Sequence, residues 1–298
     1  MLNKIHSGVF LFFMAAILQL VIFPSQALSQ TAFKEFCDSV PLGKNMTVTI
    51  TSKKSNLVIM RWDKSMVWVK VSMSFRNADP AIARRELGFA RFNCIRTASG
   101  VNINNLFALP PDEIRINSII NIDYIIYIPD RVTLVVNNEY GSCRISDLNA
   151  FINLNNKYGD IYLERVRGQM RIYATLCDIR VNGLNGFAEF NASNSNFFLK
   201  NINGNITIAN KVGTMHFEPG PELNYLKVTS SHSEINLKVN DISRFNYDLS
   251  AKNAVIDLGD NFRHFPFNQK SKERVIYHSG DITHAIEILT SYNSIKLH

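Results

Sequence analysis

Five side chains suited to gripping an anion or a sugar recur every 18 residues: Arg144, Tyr162, Arg180, Phe198 and His216. A guanidinium forks onto carboxylates or phosphates, and an aromatic body offers apolar contact with a polar edge. Such a series acts together only if the fold stacks its members on one face. The remaining reactive residues are scattered. Asp160 and Asp178 also lie 18 apart, and stacked carboxylates can hold a cation or serve as a general acid. Both stand where a turn is expected, so capping of turn N–H groups is the simpler use. His-x-Glu occurs at His216–Phe217–Glu218 and at His232–Ser233–Glu234. Zinc deaminases that use this pair also need a Cys-x-x-Cys, which this chain lacks. His278, Asp281 and His284 share one segment, without a His-x-x-x-His spacing. Cys177 and Ser195 have no visible base partner. No catalytic residue, no metal site and no cofactor is therefore expected.

The elements that would position the five residues follow from the same period. Cys143, Ile161, Ile179, Phe197 and Met215 keep the 18-residue spacing, as do Ile145, Leu163, Val181, Leu199 and Phe217. A repeat this short cannot bury its own apolar face, but stacked copies can. Each copy contributes two short strands. The first places pairs such as Leu134/Val136, Ile152/Leu154, Met170/Ile172, Ala188/Phe190 and Ile206/Ile208 inward. The second supplies the columns just named. Between copies lie turns at Leu148–Ala150, Val166–Gly168, Leu184–Gly186 and Ile202–Gly204, where glycine suits a positive φ. Asn137–Asn138, Asn155–Asn156 and Asn191 mark the other bend, and stacked asparagines can bond to one another. The beat continues through Leu226/Val228, Tyr247/Leu249 and Ile286/Ile288. The expectation for 131–298 is a parallel β-solenoid of about eight coils with an excursion at 260–284. The inward spacing has no six-residue subdivision, which argues against a left-handed hexapeptide helix, and parallel crossovers favour the right hand.

Residues 31–130 read as a β-rich N-terminal part with one short helix. Val48–Ile50, Leu57–Ile59, Val67–Phe75 and Ile114–Ile128 have strand character. Asp79–Pro80 opens the helix, with Ile82, Leu87, Phe89 and Phe92 as its loose apolar face. Residues 1 to about 30 have a basic start at Lys4, an apolar run from Val9 to Phe23 and small residues at Ser25, Ala27 and Ser29. They read as a secretory signal peptide, too short to serve as a spanning anchor. No second long apolar stretch follows, so no transmembrane span is expected after cleavage.

Composition agrees with an exported β-protein. Apolar residues make up 46% and charged residues 19%. The formal charge of +7 is spread without any run of five Lys and Arg, which with export argues against nucleic acid. The four cysteines form no Cys-x-x-Cys, so structural zinc is unsupported. Cys143 and Cys177 fall on different columns two coils apart, beyond disulfide reach. Cys37 and Cys94 are left open as a pair, with free thiols the default.

Several segments together carry a family likeness. They are Val58–Asp63, Ile122–Tyr124 with Tyr127–Pro129, Asn138–Glu139–Tyr140–Gly141, Asn156–Lys157–Tyr158–Gly159–Asp160–Ile161 and Thr290–Leu297. The chain resembles the bacterial "putative adhesin" or toast-rack family of exported domains of unknown function, in its Bacteroidetes form. The likeness spans nearly all of the mature chain, and its Asn-x-Tyr-Gly and Gly-Asp-Ile motifs speak for fold rather than chemistry. Cys177 and Ser195 depart from the pattern at the turn glycine, so altered bends are expected there.

The functional expectation is an exported, non-enzymatic binding or scaffold module, in the periplasm or at the cell surface. The five-residue ladder would contact an envelope polysaccharide or other anionic partner. The alternative is a periplasmic part of an envelope-sensing system that contacts an envelope protein through residues 31–130. A glycan-active enzyme would require a tight acidic cluster across adjacent coils. The opposite sheet face, Val135, Asn153, Arg171, Glu189, Thr207, Lys227, Asp248 and Glu287, reads as a solvated surface of mixed sign.

Overall fold

The structure, a computed structural model, describes residues 30–43 and 45–298. The expected signal peptide lies outside the described residues. The chain is all-β, with parallel and antiparallel pairings in one continuous sheet and little helix.

The period of 18 appears directly as strand register. β8 (Thr133–Glu139), β10 (Asn149–Lys157), β11 (Ile161–Thr175), β12 (Asp178–Ser193) and β13 (Asn196–Leu237) pair in parallel. Leu134 lies beside Ile152, then Met170, Ala188 and Ile206. A second row begins at β9 (Cys143–Ser146) and sets Cys143 beside Ile161, Ile179 and Phe197. Both rows point inward and are buried, forming one apolar core between the layers. The long strands serve both layers by bending at Arg165 (φ 49°), Gly183 (φ 82°) and Asn201 (φ 52°). Leu148, Val166, Leu184 and Ile202 plug the core beside these bends. Each such buried side chain contributes roughly 1.5–3 kcal/mol, opposed by backbone ordering of about 1–2 kcal/mol per residue. Stability therefore belongs to the stack rather than to any one strand pair.

The stack does not begin at residue 131. β2 (Thr47–Lys53) and β3 (Ser55–Arg61) lie in parallel beneath β8 and β9, with Val48 opposite Leu134 and Leu57 opposite Cys143. β6 (Gly100–Phe107) and β7 (Ile119–Ile128) extend the two layers further. Antiparallel strands then close this end. β5 (Ala90–Arg96) covers β6, β4 (Met66–Asn77) covers β7, and β1 (Gln30–Pro41) covers β4. Helix α1 (Pro80–Leu87) packs on β1 and β4, capped by Asp79, whose side chain accepts from the Ala81 N–H at 2.8 Å. The helix stops at Leu87. Its buried face is Ala83, Glu86 and Leu87, and Phe92 belongs instead to β5, where it packs on Phe36 and Tyr124.

At the far end, stacking order departs from sequence order. β18 (Ala285–Ser291) and β19 (Ile295–Leu297) are the last strands of the chain. They insert between β13 and the earlier pair β14 (Asn246–Lys252) and β15 (Ile256–Leu258). The excursion carries helix α2 (Asp260–Arg263), β16 (Gln269–Lys270) and β17 (Arg274–Tyr277), and β17 covers β14 from the other side in antiparallel. Asn246 fastens the connecting loop. Its Nδ2 donates to the Ile282 carbonyl at 2.7 Å, its Oδ1 accepts from the Ser279 N–H, and its own N–H reaches the His284 carbonyl.

A polar spine runs inside the second bend. Ser52 Oγ donates to Asn138 Oδ1 at 2.7 Å, and Asn138 Nδ2 donates to Asn156 Oδ1 at 2.9 Å. Asn156 in turn faces the Cys177 Sγ at 3.6 Å, and the Cys177 N–H reaches Ser195 Oγ at 3.2 Å. The bend at these two residues keeps the left-handed residue before it, Leu176 and Asn194, as Tyr140 and Tyr158 do in the glycine-bearing bends. What changes is the partner: a thiol and a hydroxyl enter the spine where glycine leaves room.

Candidate binding surface

Register alone brings Arg144, Tyr162, Arg180 and Phe198 side by side on the outer face of the second layer. The contacts are close. The Arg144 guanidinium lies 4.5 Å from the Tyr162 ring centroid, and that of Arg180 lies 5.6 Å from Tyr162 and 5.5 Å from Phe198. His216 stacks on Phe198 at 5.2 Å and 11°. Cation–π contact of this kind is worth about 0.5–1 kcal/mol at exposed sites.

The column is largely satisfied by its own neighbours. Tyr162 is sandwiched between two guanidinium groups, and Phe198 between Arg180 and His216, so neither presents an open ring face. Arg180 donates to Asp160 at 3.1 Å and to Asp178 at 2.8 Å. The Tyr162 hydroxyl donates to Asp160 at 2.8 Å, and that bond, followed by burial, raises its pKa above the ordinary phenol range. Asp178 also accepts from Asn196 at 2.9 Å. The two carboxylates thus serve an arginine rather than turn N–H groups, which leaves them neither free for a cation nor poised as an acid. Arg144 differs. It is exposed, lies over the Tyr162 ring, and has no ion-pair partner among the described residues.

Beyond His216 the face turns to paired charges. Lys296 donates to Glu234 at 2.7 Å, which holds the Glu234 carboxyl below the usual range. Glu218 pairs with Lys200 and Lys238, and His232 stacks on Tyr292, so neither His-x-Glu forms a site. On the opposite sheet face Arg171 meets Glu189 at 3.9 Å and Lys227 meets Glu287 at 3.5 Å, as a solvated surface of mixed sign requires. Among the described residues no group of three or more His, Cys, Asp or Glu is arranged to hold a metal ion.

Sequence reading missed an aromatic group on the ladder side. Trp62 stacks on Tyr127 at 5.6 Å, and Trp68 meets the same ring at 5.7 Å. Alternation along β4 already turned Trp68 outward, but only the pairing of β4 with β7 sets it beside Tyr127.

No family model matches the chain, and neither does any curated protein. Among solved structures it is similar to a "putative adhesin" of Bacteroides fragilis, at 8% identity and TM-score 0.47 over 89% of this chain and 97% of that one. A like-named protein of Parabacteroides distasonis is similar at 10% identity and TM-score 0.30, over 89% and 97% of the two chains. A "putative cell adhesion protein" of Clostridium sporogenes is similar at 10% identity and TM-score 0.26, over 89% and 99%. No helix among the described residues is long and apolar enough to cross a membrane. The comparisons amount to a remote structural resemblance to bacterial proteins carrying an adhesin description.

Proposed function

We propose that the chain is an exported, non-enzymatic binding or scaffold module of the bacterial envelope, built as a β-solenoid of 18-residue coils. Its ladder, Arg144, Tyr162, Arg180, Phe198 and His216, makes contact with a glycan or anionic partner. The observation that carries this reading is Arg144, an exposed cation held over Tyr162 with no ion-pair partner among the described residues. Arg180, tied to Asp160 and Asp178, holds the column rigid instead of gripping a ligand. The test is binding of purified protein to isolated envelope material. Arg144→Ala is expected to weaken it with the thermal midpoint unchanged. Retention of full binding by an Arg144→Ala, Arg180→Ala double variant would remove the ladder from the reading.

A second reading, contact with an envelope protein in a sensing system, is favoured by Phe33 and Ile119. These apolar side chains of the β1–β4–β7 end are 60% and 62% exposed. Deleting residues 31–130 would strip β2 and β3 from the stack, so point changes are the proper test. Loss of a co-purifying envelope protein in Phe33→Ser, Ile119→Ser would support this reading, and its retention would sink it. Protease shaving of intact cells, with a tag in the 260–284 excursion, separates surface from periplasm.

A further inference from the structure

Around the corner from the ladder, two cavities of ≈ 540 and ≈ 640 Å³ share Asn155 and Lys157 and so form one groove. It crosses the ends of successive first-layer strands, from β6 and β2 through β8, β10, β11 and β12 into β13. At the usual strand spacing its length is roughly 30 Å. We infer that this groove is a binding site for a linear acidic polysaccharide lying across the strands. The inference rests on the reading of the chain as a binding module and adds a contact separate from the ladder.

The floor is a run of amides, hydroxyls and cations, represented by Asn155, Lys157, Thr175, Ser193, Lys211 and Thr229. Lys157 and Lys211 are exposed and have no ion-pair partner among the described residues. They stand three strands apart, roughly 14 Å, so a polymer with repeated carboxylates can meet both. Among the described residues Glu139 is the one carboxylate lining the groove, and it is already paired with Lys53 at 3.3 Å.

Just beyond the floor residues, at the bend that ends each strand and outside the groove lining itself, lies a stripe of bulky side chains. Tyr140 (φ 60°), Tyr158 (φ 59°) and Leu176 (φ 55°) hold left-handed backbone, which disfavours bulky side chains. All three are 44–53% exposed, and Val212 stands on the same line beyond Asn194. Tyr140 and Tyr158 offset part of that strain by stacking on each other, whereas Leu176 has no such ring contact. A polar groove with a bulky, partly apolar stripe along its margin matches the mixed surface of a sugar chain.

Other extended polymers fit less well. Tyr140 and Tyr158 stack on each other at 4.8 Å and 9°, so the facing sides of the two rings are closed and no nucleobase can slip between them. A peptide strand would need free backbone edges, and here the strands run into the groove with their backbone groups already paired to neighbours.

The experiment is binding of the full mature protein to polygalacturonate, with a neutral linear glucan as comparison. Polygalacturonate is expected to bind and to weaken with added salt. Lys157→Ala, Lys211→Ala should lose at least ten-fold, and Lys272→Ala, an exposed lysine of the excursion that lines neither the groove nor the ladder, should be unchanged. Tyr158→Asn, which suits the left-handed backbone and so preserves the fold, should also bind more weakly. Equal binding of the neutral glucan, or no binding of polygalacturonate, overturns the inference. Loss in Arg144→Ala with retention in the lysine variant overturns the groove while leaving the ladder standing.

Discussion

The side-chain amide of Asn138 donates to the Oδ1 of Asn156 at 2.9 Å, joining residues 18 apart in the buried spine. Asn156 is fully buried and its own Nδ2 reaches the Gly159 carbonyl at 2.8 Å. Asn156→Ala strands both partners in the core, at an expected cost of about 2 kcal/mol. The neighbouring Asn155→Ala, whose side chain faces out, should change stability by less than about 0.5 kcal/mol. Urea midpoints of the two variants check the contrast, and equal midpoints would refute a structural role for the spine.

Glu86 is buried at the start of the stack and accepts from the N–H groups of Asn117 at 2.9 Å and Ser118 at 2.8 Å. Burial by itself raises this carboxyl, but the bonds from Ser118 and Asn117 outweigh it and hold the pKa below the ordinary glutamate value. A carboxyl depressed in the folded state stabilises above its unfolded pKa, and that contribution fades as pH falls through the folded value. Stability should therefore decline below about pH 4. Glu86→Gln should cost about 2 kcal/mol at pH 7 and flatten that part of the acid limb. Denaturant midpoints from pH 7 down to pH 3 decide it.

Leu176 is 53% exposed and sits at φ 55° with no ring contact to offset the strain. Leu176→Asn should raise stability by about 1 kcal/mol, because asparagine adopts this backbone readily. A thermal midpoint that falls instead would show that the leucine packs usefully at the corner.

All four cysteines are free. Asp38 lies near enough to Cys94 to disfavour its thiolate, and Cys37, next to Asp38 on β1, alternates to the other face, which keeps the two thiols apart. Burial pushes the Cys143 thiol up to about 12, and burial with the nearby Asp38 pushes Cys94 up to about 12. Native protein at pH 8 should therefore show one fast thiol, Cys37, against four in denaturant. A Cys37→Ser variant that keeps a fast thiol would contradict this assignment.

Much of the architecture is legible from residue spacing, for a physical reason. An 18-residue period of apolar columns leaves parallel register as the arrangement that buries Cys143, Ile161, Ile179 and Phe197 together. The ladder from Arg144 to His216 follows from the same count, since outward residues stack wherever inward ones do. Period says nothing about what a side chain meets across the strand, so the tying of Arg180 to Asp160 and Asp178, and with it the closing of the ring faces, needed the tertiary structure. Order of stacking also lay outside the sequence. β2 and β3 join the stack from 86 residues before their partners β8 and β9, and the last strands slip between β13 and β14, because hydrogen-bonding edges are filled by whichever strand fits and not by the next in line. The groove beside Tyr158 depends on which strand ends come to lie together, a property of the assembled sheet and of no single strand.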